Sequence, residues 1–245
     1  NYKQSKKQIQ TKIIMIVEKF LPIQGISSKA KKEIEDNYKL VEFKPGQPIV
    51  DAQIISSNIH IIVEGEARLI GLEKNKPITI AKLSTGSIIG LPSLLAGYAI
   101  EEVRASSLIK TIALTDELVL SLYQNEKIFK KLCNESLFPA EILNIARILI
   151  QKSSRTDLNL IASFNNLFKT SKLISFDSSY EIKENKDYKY LIGSNNIEQV
   201  SIGSEVNENI RLKSNSTFSG RIIIIKNELF QAFMNIKSSN INDIK

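Results

Sequence analysis

The residues with chemical capacity gather in one stretch, Leu83 to Ser107 (LSTGSIIGLPSLLAGYAIEEVRASS). Gly86 and Gly90 precede a short helical run at Pro92–Ala96. Two carboxylates, Glu101 and Glu102, and one guanidinium, Arg104, follow it. Two close glycines ahead of a helix let the backbone approach a ligand, and a helix N-terminus offers unpaired amides to an anion. This is chemistry for holding an anion, not for breaking bonds. Elsewhere the inventory is thin. One histidine, His60, and one cysteine, Cys133, are too few for a metal site or a cysteine–histidine pair. Neither GxSxG nor GxxxxGK[ST] occurs. The chain is therefore expected to be non-enzymatic, with no catalytic residue and no metal ligand. His60, alternating with Ile59 and Ile61, is expected to be structural.

Composition places these residues in a soluble globular chain. At 245 residues, 42% apolar and 24% charged, it can bury the core of one large domain or two small ones. A single cysteine excludes an internal disulfide and suits a reducing, cytoplasmic setting. The longest apolar runs, such as Ile13–Val17 and Ile222–Ile225, fall far short of the ~18 residues of a membrane span. No signal peptide is visible, so a membrane is expected only through a fused domain. The net charge of +7 rests mostly on lysine, with six arginines in all. Reading of nucleic acid leans on arginine, so solvated lysine faces are the better reading and no nucleic-acid partner is expected. The chain begins at Asn1 without methionine and ends in a linker-like tail, Lys237–Lys245. Both suggest a piece of something longer.

Periodicity supplies the elements that must position the stretch. Gln8–Leu21 places Ile9, Ile13, Val17 and Phe20 at helical spacing, and Ser28–Asn37 is a second helix with Ala30 and Ile34 inward. From Leu40 the period becomes two. Candidate strands are Leu40–Phe43, Ile59–Val63, Ala67–Leu72, Ile78–Leu83 and, in two pieces, Val103–Leu114, with turns at Pro45-Gly46, Glu64-Gly65, Glu73–Lys76 and Ser84–Gly86. Short strands with regular turns predict an antiparallel β-roll or sandwich. Thr115 is a candidate N-cap for helices over Asp116–Gln124 and Glu126–Glu135. Pro139 opens Ala140–Lys152, whose wide apolar face is either sandwiched inside the chain or buried in a partner. Thr156 or Asp157 is expected to cap Leu158–Phe168, with Leu160, Ile161, Phe164, Leu167 and Phe168 inward. Short strands at Lys172–Phe176, Tyr180–Lys183, Tyr188–Leu191, Ile210–Leu212 and Arg221–Lys226 lead to a closing helix, Asn227–Ile236. The fold class is mainly β with flanking helices (α+β). The expected organisation is a helix plus β-roll over 1–136, a helical connector over 137–170, a small β-rich lobe over 171–236 and the tail 237–245.

With these flanks, Leu83–Ser107 resembles the phosphate-binding cassette of the cyclic-nucleotide-binding domain family, the β-roll of catabolite-activator-type regulators. Pro22-Ile23-Gln24-Gly25-Ile26-Ser27 resembles the family's entry from helix to roll. Phe43-Lys44-Pro45-Gly46-Gln47-Pro48-Ile49 resembles its first tight turn, and Ile61-Ile62-Val63-Glu64-Gly65-Glu66-Ala67-Arg68 its central hairpin. The resemblance implies a glutamate directly after the second glycine for the ribose hydroxyl, and an arginine on the following turn for the cyclic phosphate. Here the first position is Leu91, and Arg104 falls several residues beyond the second, near which Ile100, Glu101 and Glu102 stand. Against that family Gly86, Gly90, Leu91 and Arg104 form a degenerate cassette. Two carboxylates would repel a phosphate, and Pro92 removes a backbone donor. No cofactor is expected, with cAMP or cGMP as the alternative. A more apolar ligand would be lined by Leu91, Leu94, Leu95 and Tyr98. The resemblance also implies a homodimer contact through Ala140–Lys152.

The helix-turn-helix of the family's transcription activators is absent, since 170–226 alternates like strands. Leu94-Leu95-Ala96-Gly97, Glu101, Ala105-Ser106 and the second lobe (Tyr190-Leu191-Ile192-Gly193, Ile202-Gly203) also resemble the cytoplasmic N-terminal region of bacterial peptide- and toxin-secretion ABC exporters. That resemblance implies a regulatory or docking module whose partners are other domains of the same larger protein, which would carry peptidase or ATPase activity. The alternative is a genuine second-messenger receptor controlling transcription or a fused effector.

Overall fold

The computed structural model describes residues 25–183, 185–206 and 210–234. The helix expected over Gln8–Leu21 and the tail Lys237–Lys245 lie outside them. The chain divides into two compact units, 1–136 and 137–245.

In the first unit the order is α1 (Ser28–Asn37), β1 (Lys39–Phe43), β2 (Pro48–Val50), β3 (Asn58–Glu64), β4 (Ala67–Glu73), β5 (Lys76–Leu83), β6 (Ile88–Ile89), α2 (Leu91–Ala96), β7 (Val103–Ala105), β8 (Ile109–Thr115), α3 (Asp116–Asn125) and α4 (Lys127–Glu135). Ser27 caps α1, its Oγ accepting from the Ala30 amide at 3.1 Å, and Thr115 caps α3 through the Leu118 amide. The strands form two antiparallel sheets, β1-β8-β3-β6 and β2-β7-β4-β5. Each sheet interleaves early and late strands, so neither closes until the whole segment has folded. This is the antiparallel β-roll with flanking helices that the sequence implied. β2 and β6 escaped the sequence reading because two or three residues are too few to show a period of two. Ile59–Ile62 of β3 are all buried, and with Leu69, Ile89 and Ile112 they form the centre of the roll.

His60 lies among them at 6% exposure. Its Nδ1 is 3.0 Å from Thr111 Oγ1, and its ring meets Phe43 edge-on at 5.3 Å. Burial penalises the imidazolium and lowers the pKa from 6.5 to about 4. The neutral form is thus the folded form.

The second unit contains α5 (Pro139–Lys152), α6 (Leu160–Thr170), β9 (Lys172–Phe176), β10 (Ser179–Glu181), β11 (Tyr188–Ile192), β12 (Glu205–Val206), β13 (Arg211–Lys213), β14 (Gly220–Lys226) and α7 (Asn227–Met234). Its sheets are β12-β11-β14-β9 and the pair β10-β13, around a core of Phe176, Ile182, Ile192, Ile197, Leu212 and Ile222. The wide apolar face of α5 is buried in the chain itself: Ala140, Ile142, Leu143, Ile145, Ala146 and Leu149 are covered, and α5 packs on α6 and α7. Glu141 is buried with them. It accepts from the Phe138 amide, closing the first turn of α5, and holds Arg221 of β14 bidentately at 2.6 and 2.9 Å. Arg221 and Glu141 side chains are 1% and 0% exposed.

One helix end departs from expectation. The cap of α6 is Asn159, whose Oδ1 accepts from the Ala162 amide at 2.9 Å, while Asp157 is turned to Arg155. The helix therefore starts two residues later than its apolar pattern suggests. Its inward stripe is Leu160, Ser163, Phe164 and Leu167, which leaves Ile161 and Phe168 36% and 43% exposed. No helix among the described residues is long and apolar enough to cross a membrane.

Two outcomes follow for stability. Glu141→Ala removes the carboxylate that pairs with the buried Arg221 guanidinium and should cost about 3–5 kcal/mol in urea unfolding. His60 carries a folded pKa below its unfolded value, so its contribution is complete above pH 6.5 and is lost as pH falls toward 4. Unfolding free energies from urea titrations at pH 7 and pH 5 should differ by roughly 1–2 kcal/mol more for the parent chain than for His60→Gln.

Candidate functional site

The cassette is held at both ends by sheet pairing. β6 pairs with β3, setting Ile89 opposite His60, and so fixes where Gly90 and α2 begin. β7 pairs with β4 and β2 and fixes where the segment returns. Gly90 bridges the two parts with φ +89, where a Cβ would lie 3.0 Å from the Asn58 carbonyl. Only glycine fits that position.

The Glu101 carboxylate lies beneath the start of α2. The amides of Gly90 and Ser93 donate to Oε2 at 3.1 and 3.2 Å, and the Ser93 hydroxyl donates to the same oxygen at 3.0 Å. The Ser93 hydroxyl in turn accepts from the Ile100 amide at 3.1 Å, tying the return loop to the helix. Glu101 and Ser93 are 3% and 4% exposed. The sequence reading cast Glu101 as a charge that repels a phosphate. Its geometry goes further: the amides that an anion would need already hold a carboxylate of the chain. A buried carboxylate is tolerable only with several donors, and this one has them.

The other residues named from the sequence separate. Gly86 sits in the turn before β6, its amide donating to the Ile62 carbonyl at 2.8 Å. Leu91 is 1% exposed and belongs to the roll's core, as does Leu95 at 1%, while Tyr98 is 56% exposed. Leu91 and Leu95 lie one turn apart on the same face of α2, whereas Tyr98 follows the helix's end at Ala96. Arg104 stands on β7, opposite Pro48 and Arg68. Its neighbours Val103 and Ala105 are fully buried. Strand alternation therefore turns Arg104 to the opposite face from them. There Glu102 accepts from its Nε at 2.9 Å. The structure thus brings Gly90, Ser93 and Glu101 together and leaves Gly86 and Arg104 outside that cluster. Sequence reasoning missed Ser93. Its signal was the serine three residues after Gly90, with a glutamate eight residues further on. Among the described residues no group of three His, Cys, Asp or Glu side chains is placed to hold a metal ion.

No family model matches the chain, and no curated protein matches it. Among solved structures, the regulatory domain of Toxoplasma gondii PKA, crystallised with cAMP, is similar at 11% identity over 92% of each chain, with a TM-score of 0.45. A cyclic nucleotide-binding domain from Methylobacillus flagellatus KT is 22% identical over 51% of this chain and 72% of its own, with a TM-score of 0.41. A cyclic nucleotide-binding-like protein from Brucella abortus is 15% identical over 45% of this chain and 97% of its own, with a TM-score of 0.39. At these identities and scores the likenesses assign no ligand, partner or residue role to this chain, and none of the three is an exporter region.

Removal of the internal carboxylate should loosen the cassette. Glu101→Ala orphans the Gly90 and Ser93 amides and is expected to cost about 2–4 kcal/mol in urea unfolding. Glu101→Gln, which keeps one acceptor oxygen, should lose less.

Proposed function

We propose that this chain is a non-enzymatic regulatory or docking module of cyclic-nucleotide-binding-like fold, which works by protein–protein contact within a larger protein. The observation that carries this reading is the Glu101 carboxylate on the Gly90 and Ser93 amides. A roll kept for ligand sensing would hold those donors open, with an arginine aimed at them. Here the donors are satisfied by the chain, and Arg104 is paired with Glu102 on the other face of its strand. Leu91 offers no acceptor to a ribose. The parent protein is read as a peptide- or toxin-secretion ABC exporter on the short motifs named above, which places the module on the cytoplasmic side. The competing reading is a cyclic-nucleotide receptor, supported by the intact glycines of the cassette.

Titration calorimetry with cAMP and cGMP decides between them. The docking reading expects no saturable heat with either nucleotide, for the parent chain and for Glu101→Ala alike. Micromolar binding by the parent, about −8 kcal/mol, would replace it with the receptor reading.

A further inference from the structure

The two units follow one plan. One of the two four-stranded sheets of the first is ordered β1-β8-β3-β6 and the four-stranded sheet of the second β9-β14-β11-β12, with the same directions at every step. β2-β7 and β10-β13 complete the correspondence. Each unit begins this series with a helix that ends one residue before the first strand, α1 before β1 and α6 before β9. Each also ends it with a strand that runs directly into a helix, β8 into α3 and β14 into α7.

The registers agree as well as the order. Lys39 lies opposite Ala113 and Phe43 opposite Ile109; Lys172 lies opposite Ile224 and Phe176 opposite Gly220. Matching the pairs lays Lys39-Leu40-Val41-Glu42-Phe43 on Lys172-Leu173-Ile174-Ser175-Phe176. On the next strand His60 is opposite Ala113 on one side and Ile89 on the other, while Tyr190 is opposite Ile224 and Val206. These pairings carry the match across the sheet, laying His60 on Tyr190 and Ile89 on Val206. A one-residue slip would turn every side chain to the wrong face, and this match lays the buried Ile61, Ile62 and Ile89 on the buried Leu191, Ile192 and Val206.

The turn before the edge strand is the closest point of identity. Ser84-Thr85-Gly86-Ser87 and Ser201-Ile202-Gly203-Ser204 each carry the glycine at positive φ, +91 and +75. Gly86 N donates to Ile62 O, Ile62 N to Ser87 O and Ser87 N to Ser84 O, at 2.8, 3.0 and 2.9 Å. Gly203 N donates to Ile192 O, Ile192 N to Ser204 O and Ser204 N to Ser201 O, at 2.7, 2.9 and 3.0 Å.

What differs is what has gone. Between β3 and β6 the first unit spends residues 65–87, including the β4-β5 hairpin; between β11 and β12 the second has only 193–204. Between β6 and β7 the first has 90–102, which contain α2 and Glu101; between β12 and β13 the second has only 207–210. We infer that residues 137–234 are a second, reduced copy of the roll from which the cassette and hairpin have been lost, so that any small-molecule response of this chain belongs to the first copy alone. Helix α5 explains how the reduced copy stays closed. Ile148 packs so tightly on Gly203 that a Cβ there would lie 2.6 Å from it, and Lys152 Nζ donates to the Gly203 carbonyl at 2.8 Å. Arg221, at the position matching Lys110, is drawn under α5 by Glu141, whereas Lys110 pairs with Glu64 at the surface.

Native-state hydrogen exchange on the full chain tests the copy. The Ile62 and Gly86 amides and their counterparts Ile192 and Gly203 should all be slowed by on the order of a hundredfold or more. Unprotected exchange at Ile192 and Gly203 beside protected Ile62 and Gly86 would overturn it. The excision is tested by replacing residues 207–210 with residues 90–102 in the full chain. Retained protection at Ile192 and Gly203, with a melting temperature within a few degrees of the parent, is the expected result. Loss of that protection in the graft would overturn the excision, whatever the parent chain shows.

Discussion

A carboxylate 3% exposed has to be surrounded by donors, and the first unit is arranged so that Glu101 is. Its donors are the Gly90 and Ser93 amides and the Ser93 hydroxyl, all supplied by the turn into α2. Their positions depend on Gly90 at positive φ, on β6 pinned to β3, and on β7 returning the chain beside β4. A desolvated carboxylate with these partners removed would be costly, so cassette, turn and return strand stand or fall together. The same contact carries the proposed function, because donors committed to the chain are not offered to a ligand.

The second unit solves a different problem with the other buried carboxylate. Its roll lacks a hairpin and a cassette, and with them the core that residues such as Leu69, Leu91, Leu95 and Ile100 give the first. Helix α5 brings a replacement face and one charge, Glu141, to meet Arg221. A buried ion pair adds little net stability over an apolar pair of similar volume, but breaking it is expensive.

The tandem arrangement also gives the docking reading a physical form. In the proposed docking role the roll would work through its twisted sheets, capped helices and charged surface, and contacts between domains of one chain are of that modest, polar-rimmed kind. The first copy keeps its cassette as a self-closed loop; the second dispenses with it.

Most of the first roll was legible in the sequence. Alternation over 40–83 and 103–114, the glycine and proline turns, and the Thr115 cap are local signals, and local interactions decide them. The helix at 28–37 was set by Ala30 and Ile34 in the same way. The cap of α6 was not, because Thr156, Asp157 and Asn159 are all competent and only packing selects Asn159. The role of Glu101 was also beyond the sequence: a glutamate beside a cassette can repel an anion or replace one, and the difference lies in where strand β7 turns it. The repeat was present in the residues, as Lys-Leu-x-x-Phe and Ser-x-Gly-Ser written twice. It has no fixed period, because the losses fall between the matched strands. The spacing is 133 residues at β1 and β9 but 117 at the glycine turns. Sequence order alone carries such a change as noise, whereas hydrogen-bond register is unaffected by loop length and so only the folded sheets show the two copies side by side.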